Sequence, residues 1–402
     1  MSVLSINKNL TRSLSLAVLC IQGFGLRVFE GVFQGAIVIW AIVLVLLNFK
    51  YIAKTNQVFW FRVFGVIAFY VLFCLAKNVA PLDWVCVAIL SGAICLTPYY
   101  TTPSLSFVDD SRKLCKFCMY YDLMHIPVML LAKGWLITTS FGMHPKTFLY
   151  LFYFNFEEGF WGMNRIQGFC WEPSCWNLLL NLNLVFVLYF RESKKVLALS
   201  ILAIVSIMST TGLVTMCVIC FMYYFSQLNL KKMIATVPVI ILFFLFVFPV
   251  VSSNYMNKVE TGSGQARFGD FAIASAVLNE HPILGADLDN ITQNRTAMRA
   301  RHRYWTSNGD YKGYMNQGMV NSFAALLVEW GGVMFCIIIW MTFKSPIIQE
   351  KKLRFMYVSA IFLVLMGTPI ARTGFFYMFP LSTMLFHKHK IMRINRSLES
   401  DF

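Results

Sequence analysis

The sequence predicts an all-α, polytopic integral membrane protein: a single membrane domain over residues 1–402, with about 12 transmembrane helices and two long loops on one face. Three observations carry this. Of the 402 residues, 58% are hydrophobic and only 13% are charged, against roughly a quarter charged in ordinary soluble domains. Mean hydropathy is +0.63. Apolar runs long enough to cross a hydrocarbon core of about 30 Å recur along the whole chain. This composition excludes disorder, a collagen-like repeat, a coiled coil and a disulfide-rich secreted scaffold.

The spans follow in order. The first, near 13–28, comes after Lys8 and Arg12 and has the outline of a signal sequence. No small-x-small cleavage site follows, and Ala17-Val18-Leu19 before Cys20 is a poor lipoprotein signal, so it reads as a retained helix. Residues 31–49 and 233–252 contain no charge at all. Further spans are expected near 57–76, 79–98, 117–138, 174–190, 319–342, 355–371 and 373–386. Residues 196–230 form one uncharged stretch of 35 residues, too long for a single upright helix. A turn near Ser209-Thr210-Thr211-Gly212 would divide it into two spans.

The basic residues test the count independently. With the N-terminus inside, twelve spans leave 20 Lys and Arg in short inner segments and 13 outside, with Arg62 within a span. Short basic loops stay cytoplasmic, so the bias supports this orientation with both termini inside. A single span over 196–230 would force either Arg191–Lys195 or Lys231–Lys232 outward. The net charge of +15 is dispersed among loops, which argues for topology and against a nucleic-acid partner. Two outward loops are long: residues 139–173 and residues 253–318. Such loops are where a membrane protein builds a site outside the bilayer.

Several polar features need weighing. Most of the eleven Cys fall within predicted spans. Cys115-x-x-Cys118 and Cys217-x-x-Cys220 have metal-like spacing but no second ligand pair nearby, and read as small apolar residues in helices. Cys170 and Cys175, at the end of an outward loop, leave a disulfide open. The six His are scattered, so no metal is expected. Asp287-Leu288-Asp289 has the form of a metal-holding D-x-D but reads as a polar turn after Gly285. Arg62, Asp83, Asp122, His125, Glu329 and Arg372 lie in or at the edges of spans, where a charge is costly unless paired or facing water. They line a polar cavity or form internal pairs; Asp122 and His125, three apart, share a helix face. Residues 146–161 are dense in aromatics, which suits either the outer membrane boundary or an extra buried helix.

The most informative strings lie in and beside the long loops. The first loop holds Arg165-Ile166-Gln167-Gly168-Phe169-Cys170-Trp171-Glu172-Pro173. In the second, Arg267-Phe268-Gly269-Asp270 opens a segment ending in His281-Pro282-Ile283-Leu284-Gly285. Asn321-Ser322-Phe323 then leads into Leu326-Leu327-Val328-Glu329-Trp330-Gly331-Gly332. In this order and topology, and with the Ser209–Gly212 turn, they resemble the bacterial O-antigen polymerase and O-antigen ligase superfamily. The resemblance is close over roughly residues 155–340 and rests on span count elsewhere.

That resemblance implies a multi-pass inner-membrane glycosyltransferase working at the periplasmic face. Such enzymes move a glycan from undecaprenyl pyrophosphate to an acceptor hydroxyl. The expected partners are an undecaprenyl-pyrophosphate-linked oligosaccharide, membrane lipid and, as a candidate, a chain-length regulator protein. No cofactor is expected. By position, Arg165 and Arg267 are the arginines implied to bind the pyrophosphate, a role that suits a planar fork pairing with phosphate oxygens. Glu172 is the first candidate for a general base, with His302 and Asp270 behind it. Gly168 and Asn321, within the motif strings, are expected substrate-binding positions. Arg295, Arg299, Arg301 and Arg303 form a basic cluster that either steers anionic lipid-linked sugars or faces lipid headgroups. Ligases of the family carry His immediately before the Asn of the last motif; here that position is Val320, which favours polymerase over ligase. A flippase or other transporter is the rival from another class, but no repeat between halves is evident.

Overall fold

The computed structural model describes residues 8–25, 33–79, 83–102, 105–140, 144–158, 164–170, 172–226, 262–288, 290–308, 319–368 and 370–386. They are mostly helical. In chain order the helices are α1 (Lys8–Phe24), α2 (Phe33–Lys54), α3 (Gln57–Ala76), α4 (Asp83–Thr101), α5 (Phe107–Leu131), α6 (Pro173–Tyr189), α7 (Lys194–Ser206) and α8 (Thr210–Ser226). After them come α9 (Gly262–Glu280), α10 (Arg295–Asn308), α11 (Ser322–Phe343), α12 (Lys351–Leu365) and α13 (Gly374–Leu385). Among the described residues, four helical segments are long and apolar enough to cross a membrane: Ile37–Lys54, Gln57–Ala76, Phe107–Leu131 and Ser322–Phe343. The other apolar helices are shorter. The expected span at 233–252 lies outside the described residues.

Local chemistry sets the helix ends. Asn56, Ser106, Ser193, Asn321 and Thr373 each stand before a first turn and accept a backbone N–H with the side-chain oxygen. Pro173 occupies the first turn of α6, where its missing N–H costs nothing. The uncharged 196–230 stretch breaks between α7 and α8, where Met208 takes φ 57° and Leu213 N–H donates to Ser209 O at 3.0 Å.

Helix α6 is the centre of the bundle, every residue from Pro173 to Leu188 being buried. A helix apolar on all sides belongs in such a place. Its three asparagines sit in the interior: Asn181 Nδ2 donates to Asn177 O at 3.0 Å, and Asn183 Nδ2 to Ser200 Oγ at 2.9 Å. At the end away from the long loops, Glu192 pairs with Arg112 and Lys116 at 2.8 and 2.6 Å, and Arg12 with Asp110 at 2.8 Å.

The first long loop departs from an all-α expectation. With Ile137–Thr138, which end the span expected at 117–138, it forms a four-stranded antiparallel sheet of order β1-β2-β3-β4: β1 Ile137–Thr138, β2 Lys146–Phe148, β3 Phe152–Glu158 and β4 Asn164–Ile166. Lys146 faces Phe154 and Phe148 faces Phe152 in register. The aromatic stretch is therefore strand and turn rather than helix. Phe, Tyr and Thr favour a pleated surface, and here it is packed on the aromatic flank of α5.

Two points that the sequence left open are decided among buried groups. Asp122 and His125 do not pair. Asp122 accepts from Trp176 Nε1 at 2.8 Å and from Ser206 Oγ at 2.9 Å, while His125 Nδ1 lies 2.9 Å from Tyr121 O. Cys170 and Cys175 are both buried and are not joined in a disulfide.

Candidate functional site

The ends of α6, α9 and α11 meet the turn between α12 and α13. Glu172 precedes Pro173, and the proline ring biases it to the extended backbone it shows, φ −142° and ψ 140°. In that conformation it makes no side-chain cap on its own helix. Instead its Oε1 lies 3.4 Å from Nη2 of Arg267, on α9, with the two side chains 25% and 23% exposed. The same Nη2 donates to Gly367 O at 3.0 Å, in the α12–α13 turn. Arg267 Nε–H is buried and has no partner among the described residues. A partly exposed pair at this distance contributes little, about 0–1 kcal/mol, and is readily exchanged.

One helical turn along α9, Asp270 holds the backbone leading into α11. Its Oδ2 accepts from Val320 N–H at 2.8 Å and from Asn321 N–H at 2.9 Å, and the residue is 3% exposed. Burial pushes this carboxyl up to about 6, with the two N–H groups and then Arg301 and Arg267 pulling the other way. Asn321 closes the ring. Its Oδ1 caps α11 by accepting from Phe323 N–H and Ala324 N–H at 3.0 and 3.2 Å, while its Nδ2 donates to Arg267 O at 3.4 Å. Arg301, on α10, is buried beside Asp270, and its proton affinity is lowered by desolvation against the pull of that carboxylate.

The remaining predicted residues lie on β4, in the β4–α6 loop, on α10 and in the loop between α9 and α10. Arg165 stands on β4 between the buried Asn164 and Ile166, so its side chain leaves the sheet on the opposite face. Gly168 has φ +60°, and a Cβ there would lie 2.3 Å from the Trp176 ring. What the structure shows at Gly168 is close packing of the loop on α6. Arg295, Arg299 and Arg303 recur every four residues on the exposed face of α10, with His302 also exposed. They stand on the outer side of the helix whose inner side carries Arg301. Asp287 accepts from Asn290 Nδ2 at 2.7 Å, as a polar turn does; Asp289 lies outside the described residues.

The Ser209–Gly212 turn belongs to the same assembly. A Cβ on Gly212 would overlap the Asn177 amide, and one on Gly367 would lie 2.7 Å from Thr211 Oγ1. The carbonyl that receives Arg267 is thus backed by this turn.

A second polar cluster, which hydropathy alone did not assemble, surrounds a break in α11. Gly331 takes φ 65° and ψ 171° within the helix. The His281–Gly285 string docks there: Gly332 N–H donates to Pro282 O and Ala286 N–H to Val328 O, both at 2.8 Å. A Cβ on Gly331 would lie 2.2 Å from Ile283 O, so this close approach requires glycine. Lys77, at the end of α3, donates to the freed Glu329 carbonyl, and Arg372 Nε pairs with Glu329 Oε2 at 2.9 Å. Burial lowers the Lys77 ammonium, with Glu329 opposing. Glu329 and Arg372 are therefore an internal pair. The α12–α13 turn bridges both clusters, since Ala371 N–H donates to Ser322 Oγ at 3.0 Å beside Arg372.

No family model, curated protein or solved structure matches the chain.

Proposed function

We propose that this chain is an O-antigen polymerase, a membrane glycosyltransferase that joins undecaprenyl-pyrophosphate-linked oligosaccharide units into polysaccharide on the side of its two long loops. The observation that carries this reading is the meeting of Glu172 with Arg267, 95 residues apart in sequence and one from each long loop. Their neighbours are Asn321 and the Gly367 carbonyl, so the strings that resemble the superfamily converge on one polar end of the bundle.

The chemistry follows from this exchangeable pair. A pyrophosphate diester offers Arg267 a stronger, bidentate partner than the partly exposed Glu172 carboxylate held at 3.4 Å. Phosphate oxygens would take the guanidinium, including its unused Nε–H, and release Glu172. The freed carboxylate then accepts the proton of the acceptor hydroxyl. The hydroxyl oxygen bonds to the anomeric carbon of the growing chain as the bond from that carbon to the phosphate oxygen breaks. Undecaprenyl pyrophosphate leaves with the electron pair, its growing charge held by Arg267 and Arg165. Fixed cations at that position stabilise the transition state more than the ground state. Pyrophosphate is already a good leaving group, and the reading calls for no metal. Val320 offers only a backbone N–H, donated to Asp270, where ligases of the resembled superfamily carry His; this favours a polymerase.

The test is product length from purified enzyme and lipid-linked repeat units. Arg267→Ala and Arg165→Ala should each lower long-chain product about a hundredfold, near 3 kcal/mol of lost transition-state stabilisation, at normal membrane abundance. Lysine should rescue only in part. Full activity in both alanine variants would remove the mechanism.

A further inference from the structure

We infer that the β2–β3 hairpin of the first long loop is a re-entrant element whose tip contacts phospholipid, on the leaflet facing the long loops. Depth comes first. The chain leaves α5 at Leu131, yet the hairpin turns back along that helix. Tyr121 Oη donates to Leu151 O, and the Tyr121 and His125 rings pack on Phe152 at 5.9 and 5.0 Å. Tyr121 and His125 lie ten and six residues before Leu131, about 15 and 9 Å back along the helix axis. The tip thus lies beside α5, alongside a segment apolar and long enough to cross a membrane.

The exposed surface matches that depth. Leu149, Tyr150 and Leu151 are 68%, 59% and 57% exposed. They continue the exposed apolar side of α5 without a gap, because the exposed Phe117 stacks on Tyr121, Tyr121 stacks on Phe152, and Phe152 neighbours Phe148. Backbone at such depth must be paired within the protein. Here β2 pairs with β1 and β3, and β3 also with β4.

The turn supplies an independent argument. Leu151 N–H closes it on Phe148 O at 3.1 Å, and Leu149 and Tyr150 both take positive φ, 53° and 55°. That is the pattern of a type I′ turn, which Asn and Gly occupy without difficulty and bulky side chains occupy at a cost. Two large apolar residues held there at a conformational cost, with their side chains outward, fit a surface that meets hydrocarbon. Because β4 of the same sheet carries Arg165, the plate runs from a lipid-facing tip to the arginine edge. A polyprenyl-linked donor sliding in the leaflet would reach the site along it; this last step alone rests on the glycosyl-transfer reading.

The experiment places a diazirine photo-crosslinking amino acid at Tyr150 of the full chain, in phosphatidylethanolamine–phosphatidylglycerol vesicles. Identical probes replace Phe61, 80% exposed on α3, and Glu280, exposed in the second long loop. Lipid adducts at Tyr150 should match those at Phe61 and far exceed those at Glu280. Adducts at the Glu280 level, or adducts to a second copy of the chain in place of lipid, would overturn the inference. A Leu149→Asn/Tyr150→Gly variant suits the turn and removes the apolar contact. It should fold normally and lose most turnover of lipid-linked donor in vesicles. If the wild type polymerises and this variant matches it, the donor path is refuted. If the wild type does not polymerise at all, the glycosyl-transfer reading fails while the crosslinking result still decides the lipid contact.

Discussion

Replacing Asp270 separates two jobs that one carboxylate performs. Its Oδ2 accepts two buried N–H groups, from Val320 and Asn321, and its charge faces Arg301 and Arg267. Alanine removes both. Two buried donors are then left without an acceptor, at about 1–3 kcal/mol each, so Asp270→Ala should cost roughly 2–6 kcal/mol. It should also abolish activity, since the Asn321 link to Arg267 loses its anchor. Asparagine keeps an acceptor oxygen and removes only the charge. Burial holds the Asp270 carboxyl at about 6, above the ordinary carboxylate range, so the folded chain binds this proton more tightly than the unfolded one. Stability from this group is therefore full below about pH 4 and is lost as pH rises through about 6. Two decades of proton affinity amount to about 3 kcal/mol. Relative to wild type, Asp270→Asn should thus gain up to about 3 kcal/mol between about pH 4 and pH 8. The assay is thermal unfolding of purified variants in detergent across that range. Equal destabilisation by alanine and asparagine at every pH, or a wild type that gains on the asparagine variant as pH rises, would refute the reasoning.

Glu172→Gln preserves shape and removes the proposed base; chain elongation should slow at least tenfold with normal membrane abundance, and an unchanged rate would assign the proton to another group. Gly331→Ala forces a Cβ toward Ile283 O at positive φ and should destabilise by at least about 1–3 kcal/mol, read as a lower melting temperature and lower membrane yield. Reporter fusions at Asn155 and Asn290 should report one side of the membrane and fusions at Lys194, Lys232 and Lys351 the other, with Asn290 the position whose reversal would displace the site.

Much of the helical layout was legible because the partition of side chains between water and hydrocarbon leaves a signature within one segment. The runs at 57–76 and 174–190 are α3 and α6 to within a residue or two, and the over-long 196–230 stretch breaks into α7 and α8 near the polar turn where length demanded it. The motif strings were equally visible, since each is continuous in sequence. The sheet was not. Over Lys146–Phe154 aromatics fill both faces of the strands, so the period-two alternation that normally marks a strand is erased.

What the sequence determined by itself was therefore one-dimensional: an apolar helical chain, its charge distribution, and the identity of Arg165, Glu172, Arg267 and Asn321 as residues of interest. Tertiary structure alone decided who meets whom. Local spacing favoured Asp122 with His125, but Trp176 and Ser206 reach the carboxylate first. Glu172 directly precedes α6, yet its side chain makes no cap there and turns to Arg267, 95 residues away. Asp270, a minor candidate in sequence, became the group that joins α9 to α11. The reason is physical. Burial preference is a property of single residues and accumulates along a segment, whereas a polar contact depends on the relative placement of elements far apart in the chain, which no local pattern encodes.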